Sequence, residues 1–191
     1  MKVLIFVDLH DDDQSFLALK EKAKSVEIIL GAGDYSLFGH NLREVLEKIN
    51  SLNKPTYLIH GNHESSQEMI NCMKGLKNLI FIHKKQVKYK DLLITGYGGD
   101  GFSEIDVEAE IFFKSLKNKG GIILFHGPPF ATALDELIFG HVGNESYNLI
   151  IEDFKPKLVV CGHLHENFKK SDSIGESIII NPGPDGEVLN V

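Results

Sequence analysis

Five short segments carry oxygen or imidazole side chains in patterns that suit metal ligation: Asp8-Leu9-His10, Gly33-Asp34, Gly61-Asn62-His63-Glu64, His126-Gly127 and Gly162-His163-Leu164-His165. Five of the nine histidines fall in them. Carboxylate, amide oxygen and imidazole without thiolate form a hard to borderline donor set, suited to Mn, Fe, Co, Ni or Zn and unlike a structural zinc site built on cysteine. Asp8, His10, Asp34, Asn62, His126, His163 and His165 are too many ligands for one ion and suit two, provided one carboxylate bridges them. Two ions about 3.5 to 4 Å apart can clamp a phosphoryl group, depress the pKa of a bridging water and stabilise both attacking and leaving oxygens. Phosphate-ester hydrolysis is the natural reaction for such a set. The adjoining glycines permit turns with φ > 0 and close backbone approach to a crowded centre.

Each block follows a short apolar run that reads as a strand buried on both faces: residues 3–7, 26–30, 56–59, 121–125 and 158–161. Helical spacing lies between them, at Phe16, Leu17, Leu19 and Ala23, at Leu42, Val45, Leu46 and Ile49, at Ile111, Phe112 and Leu116, and at Leu149, Ile150 and Phe154. Alternating strand and helix imply an α/β fold with crossover connections, and open α/β sheets place ligands at the carboxyl ends of their strands. Residues 79–82, 86–89, 92–95, 177–180 and 188–191 are further short strand candidates that either form a second sheet or extend the first.

The 191 residues predict one domain, 1–191, of ordinary globular composition, with 42% apolar and 25% charged residues. A formal charge of -7 excludes a broad basic surface for nucleic acid and favours a small phosphorylated substrate or a short nucleotide as partner. Cys72 and Cys161, the only cysteines, form no Cys-x-x-Cys spacing and read as plain thiols. The first apolar run reaches Asp8 before it could form a signal-peptide core, and no apolar run approaches membrane-spanning length, so a cytoplasmic location without membrane association is expected.

In their order and spread, from residue 8 to residue 165, the five blocks resemble the signature of the calcineurin-like metallophosphoesterases. The resemblance implies a sandwich of two mixed β-sheets flanked by helices. It implies that Asp8, His10 and His165 bind one divalent transition-metal ion, that Asn62, His126 and His163 bind the other, and that Asp34 bridges both, with Mn foremost and Fe, Ni, Co or Zn as alternatives. His63 would then be the catalytic histidine, assisting the leaving oxygen while a metal-bridging hydroxide attacks phosphorus. His126-Gly127-Pro128-Pro129, His141-Val142-Gly143 and Asn181-Pro182-Gly183 look similar to a small-phosphoesterase branch with phosphodiesterase activity. In phosphoprotein phosphatases the second block continues with an acidic residue and an arginine; Leu37-Phe38-Gly39 stands here and argues against that activity. A nuclease acting on short nucleic acid and a non-catalytic protein-binding scaffold are the alternative readings.

Several other features receive plainer readings. Gly96-Tyr97-Gly98-Gly99-Asp100-Gly101 matches a dinucleotide-binding pattern, but it lies mid-chain, so it is read as a loop on the substrate side. Asp11-Asp12-Asp13 is read as a solvated helix entry. His40, His60 and His83 receive no role, and His141 is placed equally on the surface or facing substrate. Tyr35 and Phe130 are read as packing residues, with the mouth of the site as the alternative.

Overall fold

A computed structural model describes residues 1–99 and 102–191. Among them run strands β1 (Lys2–Phe6), β2 (Ile28–Gly31), β3 (Thr56–Leu58), β4 (Leu79–Phe81), β5 (Lys85–Tyr89), β6 (Leu92–Tyr97), β7 (Ile122–Phe125), β8 (Glu136–Leu137), β9 (Gly140–His141), β10 (Leu158–Val160), β11 (Ser171–Ile174), β12 (Ser177–Ile180) and β13 (Glu187–Asn190). The helices are α1 (Asp13–Ala23), α2 (Leu42–Asn50), α3 (Ser66–Cys72), α4 (Val107–Ser115) and α5 (Glu145–Phe154). One sheet has the order β13-β1-β2-β3-β4 and the other β11-β12-β10-β7-β6-β5, with β8 and β9 forming a separate small hairpin. In the first sheet β1 to β4 are parallel and β13 closes an edge antiparallel. In the second, β12, β10, β7 and β6 are parallel between the antiparallel edges β11 and β5. Both sheets are mixed, as the sequence resemblance implied.

The alternation of side chains along each strand builds the layers. Val3, Ile5, Ile28 and Leu30 of the first sheet share a buried cluster with Ile94, Ile122, Leu124, Leu158 and Val160 of the second. Leu4, Phe6 and Ile29 turn the other way, onto Leu19, Leu46, Ile49 and Met69 of α1 to α3. Ile123, Phe125 and Val159 likewise turn onto Ala109, Phe113, Ile150 and Phe154 of α4 and α5. Burial on both faces explains why the central strands read as continuous apolar runs rather than alternating ones.

Local chemistry sets the helix starts. Asp12 caps α1, its Oδ2 accepting from Ser15 N–H at 2.8 Å, and Lys48 Nζ reaches Asp11 and Asp13 at 2.9 and 2.8 Å, so the acidic run is a helix entry as expected. Ser65 and Glu68 form a capping box that opens α3. The expected inner face of α4 is shifted: Ala109 and Phe113 are buried, whereas Ile111 is 64% exposed. Asp106, accepting from Ala109 N–H, fixes the start of that helix and thereby the face it turns inward. No described helix is long and apolar enough to cross a membrane.

Of the histidines given no role, His83 has a structural one. Its Nδ1 accepts from Gly98 N–H at 2.9 Å, which requires the neutral ring, and the ring lies 4.6 Å from that of His60. Burial, then repulsion from His60 and Lys84, pushes its pKa down to about 4 against a weaker opposing pull from Glu108. Between that value and the ordinary one near 6.5 the unfolded chain binds the proton more tightly, so this contribution to stability is fully present above about pH 6.5 and is lost as pH falls through about 4. His83→Gln is therefore expected to narrow the drop in urea midpoint between pH 7 and pH 5; a variant as acid-sensitive as the wild type would clear the imidazole of that role.

Candidate metal centre

The turns after β1, β2, β3, β7 and β10 bring side chains from both sheets to one end of the sandwich. Backbone hydrogen bonds tie these turns together: Asp8 N–H to Gly33 O at 3.1 Å, His10 N–H to Asp34 O at 3.1 Å, and Gly162 N–H to His126 O at 2.8 Å. Four of the seven candidate ligands have left-handed backbone, Asp8 (φ 53°), His10 (47°), Asp34 (54°) and His163 (70°). Each such residue costs about 1 kcal/mol or more and persists only where its surroundings over-determine it. Two glycines are required by crowding: a Cβ on Gly61 would fall 2.1 Å from Asp34 Oδ1, and one on Gly162 would fall 2.6 Å from Asp8 Oδ2.

All seven candidate ligands and His63 converge. Asn62 Oδ1 lies 2.9 Å from both His126 Nε2 and His163 Nδ1. His10 Nε2 lies 3.1 Å from His165 Nε2, and donor atoms of these two residues and Asp8 fall within 4.8 Å of one another. Asp34 sits between the groups, its Oδ2 being 3.3 Å from His126 Nε2, 3.8 Å from His63 Nε2 and 4.0 Å from His10 Nε2.

Electrostatics tests whether a cation fits here. Asp8 is almost wholly buried; burial, reinforced by Asp34, raises its pKa to about 7 against the opposing pull of His126. Its Oδ2 accepts from His163 N–H at 3.0 Å, whereas the buried Oδ1 has no hydrogen-bond partner. Burial alone would raise Asp34 too, but the hydrogen bond and charge of His126 hold it down at about 2. Burial would lower His126, yet Asp34 and Asp8 push it up to about 9. The pocket of carboxylates therefore stabilises positive charge strongly enough to protonate a buried imidazole. A divalent cation supplies that charge in place of the proton and gives the orphaned Asp8 oxygen a partner, so the residues fit. Burial lowers the pKa values of His10 and His165, leaving them neutral and suited to ligation. His126 Nδ1 lies 2.9 Å from Ala32 O, an orienting contact common behind metal-binding imidazoles.

Three residues at the site were not legible as such. Phe38, 80% exposed, stacks on His63 with ring centroids 4.1 Å apart and 15° between planes, and its N–H donates to His63 Nδ1 at 3.3 Å. Glu64 Oε1 accepts from Ser36 N–H at 2.8 Å and from Ser36 Oγ at 2.9 Å, bracing the turn that carries Asp34. Asp135 is buried beneath His141, with its Oδ1 2.8 Å from His141 Nδ1. Capping-type spacing around Ser65 hints at the turn after His63, but nothing local connects Asp135 to Gly143 or Glu64 to Ser36.

The other readings resolve plainly. Tyr35 is a core residue, not part of the mouth: its hydroxyl lies 2.9 Å from Gly31 O and 2.7 Å from Ile59 O. Phe130 lines a cavity together with His141. Gly96 and Tyr97 belong to β6 and Gly98 packs against His60, while Asp100 and Gly101 of that glycine-rich stretch lie outside the described residues. Among the described residues that follow, the first helix is α4, which begins at Val107. Both cysteines are free thiols, and burial pushes Cys161 far above the ordinary thiol range.

A sandwich of two mixed sheets with an Asp/His/Asn cluster at the strand ends defines a metallophosphoesterase. The profile of the calcineurin-like phosphoesterases matches residues 1–167, and the chain belongs to that family. An uncharacterized protein of Methanocaldococcus jannaschii is 30% identical over 200 residues, covering 96% of this chain and 88% of that protein. Two solved structures share the fold. A protein of Thermus thermophilus is 16% identical with a TM-score of 0.77, and phosphopantetheinyl hydrolase from Mycobacterium tuberculosis is 12% identical with a TM-score of 0.67; each comparison covers 95% of this chain and 88% of the other. Family membership and the cluster together support a metal-dependent phosphoester hydrolase.

Proposed function

We propose that the protein is a phosphodiesterase that hydrolyses a small or short phosphate diester with two divalent transition-metal ions, manganese foremost. The observation behind the diester assignment is the scarcity of cationic side chains. Among the described residues that line the cavity of about 420 Å³ over His10, His63 and His165 there is no lysine or arginine. The chain's single arginine, Arg43, is held on α2 by Glu47 and by the carbonyls of Cys72 and Lys74. With no cationic side chain to add to the metal charge, the single negative charge of a diester is matched more closely than the dianion of a monoester, for which an arginine fork is a common additional partner.

When bound, the two ions supply Lewis-acid polarisation of the phosphoryl group and an acidified water. Asp8, His10 and His165 would hold one ion, Asn62, His126 and His163 the other, and Asp34 both. Phe38 N–H occupies Nδ1 of His63, so Nε2 carries the ring proton and can donate a hydrogen bond to the charge that develops on a leaving oxygen. Leu37, Phe168 and Pro184 give the cavity an apolar wall suited to an uncharged leaving group.

The assay is hydrolysis of bis-p-nitrophenyl phosphate and p-nitrophenyl phosphate by chelator-stripped protein, with Mn, Fe, Co, Ni, Zn or Mg restored singly. The expected kcat/KM for the diester exceeds that for the monoester by at least about tenfold, a difference of ~1.4 kcal/mol in transition-state stabilisation. A preference for the monoester would overturn the diester assignment. Turnover of neither ester with any ion would revive the scaffold reading.

A further inference from the structure

A second cavity, of about 400 Å³, is lined by Phe102, Glu104, Phe130, His141 and Glu145 among others. Phe102 links it to the cluster, its ring lying edge-on to that of His163 at 4.5 Å. We propose that this cavity is a subsite for a nucleobase on the substituent of the phosphodiester that does not leave, with the base packed against Phe102 and Phe130 and hydrogen-bonded by His141. The proposal rests on the phosphodiesterase reading and gives it a substrate class, a nucleoside diester.

The walls are built before any ligand arrives. Phe130 is fixed by a reciprocal pair of bonds, its N–H donating to Asn148 Oδ1 and its carbonyl accepting from Asn148 Nδ2, both at 2.9 Å. The segment after Phe102 is tied to the start of α5: Asn144 Nδ2 donates to Ser103 O at 2.6 Å and Glu145 N–H to Glu104 O at 2.8 Å. Preset aromatic surfaces lose little conformational entropy on binding a flat ring.

His141 gives the cavity its polar specificity. The wholly buried Asp135 accepts from Ala131 N–H at 3.0 Å and Gly143 N–H at 2.9 Å through Oδ2, and from Thr132 N–H at 2.7 Å through Oδ1. With both oxygens so engaged, the 2.8 Å contact to His141 Nδ1 has the imidazole as donor. Nδ1 being turned to Asp135, the second ring nitrogen of His141 faces away from that carboxylate and is the polar atom left to pair with a base, accepting from an exocyclic amine whenever the ring carries one proton. Glu104 and Glu145 are further acceptors, and no lysine or arginine is present among the described lining residues, so a second phosphate is disfavoured. A flat group that donates N–H bonds and carries no negative charge is what these surfaces select, and adenine is the simplest probe.

The test compares adenosine 5'-monophosphate with ribose 5-phosphate, which share the phosphate and differ in the base, by calorimetry on the manganese-loaded protein. The nucleotide is expected to bind at least about tenfold tighter, ~1.4 kcal/mol, as a base stacked on aromatic rings should. Phe102→Ala, at an exposed position that leaves the core intact, and His141→Ala are each expected to cut that preference severalfold. Equal affinity of the two ligands in the wild type, or an undiminished preference in both variants, would overturn the subsite. In parallel, kcat/KM for thymidine 5'-p-nitrophenyl phosphate should exceed that for methyl p-nitrophenyl phosphate. Turnover of neither diester alongside a preserved, Phe102-dependent preference for the nucleotide would support the subsite while sinking the phosphodiesterase reading.

Discussion

Asp34→Asn is expected to abolish cation binding and turnover together while leaving the fold intact. Asparagine keeps the shape of the side chain and tolerates the left-handed backbone that Asp34 adopts, which alanine would not. What it removes is the charge. Asp34 Oδ2 faces three imidazole nitrogens between 3.3 and 4.0 Å away, and Asp34 is the larger of the two carboxylate influences that push His126 up to about 9. An amide there neither attracts a cation nor bridges two, and one of its orientations turns an N–H donor toward ring nitrogens that must be free to ligate. Removing merely an orienting partner of a ligand costs about 10- to 100-fold in metal affinity, so loss of a carboxylate that, on the proposed function, holds both ions should cost more than about 100-fold. The readout is the manganese-dependent rise in Tm, large in the wild type and absent in the variant, since a ligand stabilises only the state that binds it. An undiminished shift would remove Asp34 from the centre.

Much of the architecture was legible because burial on both faces writes a simple pattern. The runs ending near Val7, Leu30, Ile59, Phe125 and Val160 are apolar without alternation, and each became a central strand of one sheet or the other. Partition between the sheets was not legible. Residues 79–82 and 188–191 extended the first sheet, while 86–89, 92–95 and 177–180 joined the second, because pairing depends on crossover geometry and not on local pattern. Strand β11 also escaped notice: Ser171 to Ile174 is polar, and only its pairing to β12 makes it a strand. Helix α3 is similar, with Met69 its one buried residue.

The site divides along the same line. Asp8, His10, Asp34, Asn62, His126, His163 and His165 stand out because their types and adjoining glycines follow strands, and strand ends are where an α/β sheet gathers its ligands. Residues that act through one another leave no such mark. Glu64 matters because Ser36 folds against it, and Phe38 because His63 lies under its ring. The even placement of His141 between surface and substrate reflects the same limit. Five residues separate it from Asp135, and only the segment that closes between them shows that an exposed imidazole rests on a buried carboxylate.

His63→Ala is expected to keep cation affinity near that of the wild type while lowering kcat on an alkyl diester by about 10²- to 10³-fold, the range for loss of one positioned hydrogen-bond donor to a developing negative charge. Geometry leaves a rival role open to test, since a nitrogen of His63 lies close enough to His10 and Asp34 for the three to hold an ion. The two roles differ in what else the mutation moves. A hydrogen-bond donor to the leaving oxygen matters most when the leaving group is a poor one, so the loss should be small for a p-nitrophenyl diester and much larger for a diester of an alkyl alcohol. A ligand would show no such dependence, and cation affinity would fall in step with turnover. The stacked Phe38 refines the distinction: with its N–H on Nδ1 and its ring against the imidazole, it holds Nε2–H toward the cavity. Phe38→Ala keeps the backbone N–H on Nδ1 and removes only the stacked ring, so it should reproduce a small fraction of the His63→Ala defect, with the same leaving-group dependence and unchanged cation affinity. Calorimetric titration of manganese into all three proteins, beside their rates on both diesters, decides the matter, because parallel loss of affinity and rate in His63→Ala would make His63 a ligand and end its assignment as the hydrogen-bond donor to the leaving oxygen.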